Sequence, residues 1–103
     1  MSTPNQLSAT QAAAKIASGE LSAVELMQAC LARISEREAD VQAWVFLDTE
    51  RARNLAREAD ALRASGTGIG PLHGVPVGIK DIIDTADMPT ENGSPMFKGR
   101  TTN

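Results

Sequence analysis

A chain of 103 residues has room for one domain, and its net charge of −3, with arginines interleaved among glutamates, leaves no basic patch and argues against a nucleic-acid partner. Its apolar 42% is rich in alanine but includes only two phenylalanines, one tryptophan and no tyrosine, so few large side chains are at hand to fill a core. One cysteine excludes an internal disulfide framework; with neither a signal-peptide pattern nor an apolar stretch of spanning length, the reading is a cytoplasmic protein with no membrane partner.

Three helices are predicted in chain order. Ser8 with Gln11 forms a capping-box pattern that opens a helix over "ATQAAAKIAS", residues 9–18, and Gly19 supplies a left-handed stop. Ser22 with Glu25 opens the second, "AVELMQACLARISERE", residues 23–38. Val24, Met27, Leu31 and Ile34 recur there at helical spacing, widened by Ala23, Leu26 and Cys30. Asp48 caps the third, residues 49–65, with Ala52, Leu55, Ala56, Ala59 and Leu62 as its predicted buried face. Arg51, Arg57 and Glu58 read as a solvated surface.

Two short apolar runs are strand candidates. "QAWVFLD", residues 42–48, lies between the second and third helices. "VPVGIK", residues 75–80, follows a glycine-rich linker, "SGTGIGPLHG". Pro76 weakens the second, since proline removes a ladder donor and favours an edge or a strand start. Beyond Asp81 the chain turns polar, and "MPTENGSP" is turn chemistry. Two strands are too few for a free-standing sheet, so the outline reads as the beginning of a larger α/β domain.

Little in this outline carries chemistry. Cys30 and His73 are the only thiol and imidazole, but Cys30 falls on an apolar helical stripe and His73 in a glycine-bounded turn, where structural roles are expected. No spaced ligand cluster suggests a metal. The glycines precede a strand and follow a helix, the wrong order for a phosphate-binding loop. Lys80 stands apart at the exit of the second strand candidate. An exposed lysine there is ordinarily just solvated. Desolvated, its pKa falls from about 10.4 and the neutral amine can act as a general base. Asp81 and Asp84 oppose this, because a neighbouring carboxylate favours the ammonium.

The stretch "GPLHGVPVGIKDIIDTADMPTENGSP" resembles the catalytic-lysine segment of the amidase signature enzymes, and "SGELSAVELMQACLARI" with "VQAWVFLD" resembles that family's N-terminal region. The resemblance implies an α/β fold, in which residues 1–103 are the N-terminal fragment of a single domain: N-terminal helices plus the first strands of a mixed-sheet α/β/α architecture, truncated here. It implies hydrolysis of a small-molecule amide, without cofactor or metal, by a triad of nucleophilic serine, serine in a cis peptide and lysine, with Lys80 as the catalytic base. Both serines belong to a downstream glycine- and serine-rich segment absent from this chain. Ser94 is the only serine after Lys80 and reads as a turn residue. Ile82 stands where many relatives carry asparagine.

Three functional readings follow. The chain is part of a carboxamide hydrolase, part of an amidotransferase that releases ammonia from glutamine beside partner subunits, or a non-catalytic helical interaction module. Alone it is expected to be inactive and to self-associate.

Overall fold

The computed structural model describes residues 3–66 and 68–101; Thr67 of the predicted linker and Thr102 and Asn103 at the end lie outside them. Three helices form: α1 (Ala9–Ser18), α2 (Ala23–Val41) and α3 (Thr49–Ala64), with short 3₁₀ turns at Pro4–Gln6 and Pro95–Phe97. The chain divides into two compact units. One comprises residues 1–41 and 48–76, the other residues 42–47 and 77–103.

The first unit is a helical assembly whose ends are closed by hydrogen bonds. Ser8 and Gln11 make the predicted capping box, and Gly19 ends α1 at φ +87°. Ser22 and Glu25 exchange backbone N–H bonds at the start of α2, and the Asp48 carboxylate accepts from Arg51 N at the start of α3. Two further closures come from α3 itself. The Asp60 carboxylate accepts from Ala23 N at 2.7 Å and Val24 N at 3.1 Å, and Arg63 Nε donates to Ala17 O at 3.4 Å. One side of α3 thus caps both ends that flank the α1–α2 turn.

The core of this unit is Ala12, Ile16, Leu21 and Leu26, with Leu7, Cys30 and Val75 packed against it. Ala23 and Leu31 of α2 and Ala56 of α3 are also buried. The face predicted for α2 holds at its centre, while Val24, Met27 and Ile34 are only half-buried. On α3 the predicted face is corrected: Leu55 and Leu62 are 47% and 43% exposed. Of the predicted residues Ala56 is buried and Ala52 and Ala59 are half-buried; the side turned inward extends from Ala56 to Asp60 and Arg63, because their polar caps to α1 and α2 fix it toward those neighbours.

The "GPLHG" segment belongs to this unit and is structural. His73 Nε2 lies 2.8 Å from Ala59 O. Gly74 has φ +82°, and a Cβ there would meet Ile16 Cδ1 at 3.1 Å and Ala23 Cβ at 3.2 Å. Neither neighbour can yield, being 1% and 0% exposed. Glycine is therefore required twice, for the backbone and for the close approach.

The strands expected at 42–48 and 75–80 do not form; among the described residues there is no strand. The α/β expectation is corrected to that extent. A strand exists only as a member of a ladder, and two short segments, one broken by Pro76 and lightened by Gly78, are not enough to make one. The second segment is also divided, with Val75 and Pro76 in the first unit and residues 77–80 in the second.

Candidate active site

Lys80 lies in the second unit, which is built by polar contacts rather than a core. Thr90 is the only residue of this unit among the buried ones described, at 1% exposure. Its Oγ1 donates to Ile83 O at 3.1 Å and its N–H to Arg100 O at 2.7 Å. The Lys80–Ile83 turn is closed by Ile83 N donating to Lys80 O at 3.0 Å.

The residues of both strand candidates meet here without pairing as strands. An open depression of about 490 Å³ is lined by Trp44 and Phe46 from the first, Ile79 and Lys80 from the second, and Met88 and Pro89 beyond, among others. Trp44 packs over Gly78, where a Cβ would stand 3.1 Å from the ring. The walls are mostly apolar, and the ionisable groups among the lining residues are Lys80 and Asp81. Lys80 itself is exposed, so the described residues do not supply the cover a neutral lysine requires.

The two carboxylates that follow Lys80 are committed elsewhere. Asp81 Oδ1 accepts from Glu91 N at 2.9 Å and Oδ2 from Gly93 N at 3.1 Å, while its carbonyl accepts from Asn92 N at 2.9 Å. Asn92 and Gly93 both have positive φ, +52° and +68°, a turn in which the amides of Glu91 and Gly93 face the carboxylate and the amide between them faces the Asp81 carbonyl. Asp84 Oδ1 accepts from Arg100 Nη1 at 2.9 Å. That hydrogen bond, and then the charge of Asp84, raise the pKa of the Arg100 guanidinium from its ordinary value. The sequence left the direction of both aspartates open, and no local signal pointed to Arg100; the one hint was the Asn92–Gly93 dipeptide, whose turn geometry exposes amides.

The other candidates are placed as structural groups. Cys30 is half-buried beside the core of the first unit, and burial pushes its thiol pKa up, away from a reactive thiolate. His73 is tied to α3. Cys30 and His73 are not joined by any contact described. Ser94 Oγ accepts from Met96 N at 3.3 Å and caps the second 3₁₀ turn. Among the described residues no three His, Cys, Asp or Glu side chains are grouped as metal ligands, and no helix is long and apolar enough to cross a membrane.

A sequence model described as Amidase matches residues 25–103. Among curated proteins the chain is similar to a glutamyl-tRNA(Gln) amidotransferase subunit of Chloroflexus aurantiacus, at 42% identity over 99 residues. The proteins of the same name from Thermobifida fusca and Streptomyces coelicolor are 47% identical over 94 residues and 46% over 99. The matches cover 96%, 91% and 96% of this chain, but only 20%, 19% and 20% of the relatives. The chain therefore spans about a fifth of the length of the curated relatives it matches.

Proposed function

The chain belongs to the amidase family, and from that premise we propose that it is the N-terminal part of an amide hydrolase to which it contributes the general base, Lys80. The nucleophilic serine and the cis serine come from outside residues 1–103. The observation that carries this reading is the placement of Lys80: it sits at an apolar depression, with both neighbouring carboxylates taken up by other partners. Covered by the rest of the domain, the amine would be desolvated, which disfavours its charged form.

In this mechanism neutral Lys80 accepts a proton from the bridging serine, which takes one from the nucleophile. The nucleophile's oxygen bonds to the amide carbon, and backbone amides hold the oxyanion. The C–N bond then breaks as the proton passes to the leaving nitrogen. Water, deprotonated through the same relay, hydrolyses the acyl ester and restores the serine.

The relatives are named as subunits of an amidotransferase, which favours an assembly with other subunits; a glutamine side-chain amide as substrate, with ammonia as leaving group, is the reading that fits such an assembly. Their names also include a tRNA. The expectation of no nucleic-acid partner rests on the charge of residues 1–103 and does not extend to such an assembly.

Lys80→Ala in the complete protein is expected to lower ammonia release from glutamine by about 10⁴-fold or more. Lys80→Arg fails equally, since a guanidinium stays charged at accessible pH. Near-normal turnover by the arginine variant refutes the assignment. Turnover of simple carboxamides without partner subunits would favour the stand-alone hydrolase. Residues 1–103 alone should turn over neither, because Ser94 is held as a cap.

A further inference from the structure

Two carboxylates follow Lys80 within four positions, and either could pair with its ammonium. The Lys80–Ile83 turn holds the Cα atoms of those residues within about 7 Å, so residue 84 lies within reach of a side chain as long as lysine's. The loop from Thr90 to Arg100 engages both carboxylates. Asp81 is bound by the amides of Glu91 and Gly93, and Asp84 by Arg100.

We propose that Arg100 and the amides of the 91–93 turn are positioning groups that sequester Asp84 and Asp81, leaving Lys80 without an ion-pair partner. As an account of catalysis this rests on Lys80 being the general base. Arg100 suits the task because its guanidinium is charged at every accessible pH. It is also fixed by more than Asp84: it donates to Thr90 O at 3.4 Å, and its own carbonyl accepts from the N–H of buried Thr90. An exposed ion pair alone would be weakly held; one anchored to a buried backbone is placed.

Beyond Lys80, the ionisable side chains of this unit are Asp81, Asp84, Asp87, Glu91, Lys98 and Arg100. Glu91 accepts from Gly99 N at 2.6 Å, and Asp87 and Lys98 are at exposed positions. Asp84, four positions from Lys80 and paired with Arg100, is the carboxylate that a single change, at Arg100, would release toward Lys80.

The test uses lysine labelled with ¹³C at Cε in the 103-residue chain, where Lys15, in the first unit, serves as internal reference. Arg100→Gln should raise the pH at which Lys80 titrates by about half a unit or more, and Arg100→Gln with Asp84→Asn should return it. Asp84→Asn alone should leave it in place. A merely structural role for the ion pair would leave the double variant as disturbed as the single one. The proposal is overturned if Arg100→Gln produces no shift while the Thr90 amide resonance stays in place, or if Asp84→Asn alone lowers the Lys80 midpoint. Should Arg100→Gln loosen the loop, the Thr90 resonance reports it and Asp84→Asn decides alone. This titration does not depend on turnover: expected shifts combined with an active Lys80→Ala enzyme would sink the base assignment and leave the sequestration standing.

Discussion

The carboxylate of Asp60 should be among the most costly side chains to remove from the helical unit. The first four N–H groups of a helix have no partner within it. In α2 all four are placed: Ser22 N on Glu25, Ala23 N and Val24 N on Asp60, and Glu25 N on Ser22 Oγ. Asp60→Ala strands two of them. Ala23 is 0% exposed, so water cannot replace the acceptor there, and a buried unsatisfied N–H costs about 1–3 kcal/mol. Val24 is half-buried and its N–H can find water, at about 0.5–1 kcal/mol. Loss of a negative charge at the helix N-terminus adds about 0.3–1 kcal/mol. The sum, roughly 2–5 kcal/mol, is a large part of a total stability of about 5–15 kcal/mol for a small domain. It corresponds to a fall in Tm of roughly 8–40 °C. Urea and thermal melts followed at 222 nm measure this, with Ser22→Ala, at about 1 kcal/mol, as the local-cap control. A loss below about 0.5 kcal/mol for Asp60→Ala would mean that solvent reaches Ala23 N and that α3 does not close this helix end.

Two other outcomes follow from where the buried side chains lie. Trp44, the only tryptophan, reports on the second unit, whereas ellipticity at 222 nm reports on the three helices. Its fluorescence should change at a lower urea concentration than the ellipticity, since the apolar side chains found buried all belong to the first unit; coincident transitions would contradict this. Val77, Ile79, Ile82 and Ile83 are 76%, 44%, 59% and 53% exposed, so the chain should self-associate with concentration in sedimentation, and Ile79→Lys with Ile83→Lys should suppress it. A monodisperse parent chain, or association unchanged by the two lysines, would refute the assignment of that surface.

What was legible in the sequence was what is local. The caps at Ser8, Ser22 and Asp48 bond to residues three positions on, so their pattern is visible in a short window and the three helices could be read from it. Asp60 acts 37 residues away and Arg63 46 residues away, and nothing in a linear pattern assigns either to a helix end. The same limit explains why the predicted face of α3 holds at Ala56 and fails at the two leucines. Periodicity favoured Leu55 and Leu62 as the larger apolar residues, but the polar caps determined which side turned inward. The strand candidates were legible as β-prone composition and not as strands, because a ladder is a property of two segments together. At the candidate site Lys80 was singled out by family resemblance, not by spacing. The destinations of Asp81 and Asp84 depend on a loop that, as sequence, shows only turn residues.

Lys80 sits where the fold relies on hydrogen bonds instead of apolar burial, and this has a chemical consequence. A segment can be fixed by packing its side chains into a core or by tying its backbone and polar groups to a neighbour. Residues 80–84 and the residue before them present Ile79, Ile82 and Ile83 outward, so packing does not fix them within the described residues. They are held by the Asp81 clamp on 91–93, the Thr90 hydroxyl on Ile83, and the Asp84–Arg100 pair. Two of the three ties that hold the segment are therefore made by the same carboxylates that would otherwise pair with the lysine. On the proposed reading these two tasks cannot be separated: any change that loosens the clamp also frees an anion beside the base. The apolar side chains of Trp44, Phe46 and Ile79, which line the same depression as Lys80, act in the same direction, since they offer no acceptor for an ammonium and favour the neutral amine once water is excluded.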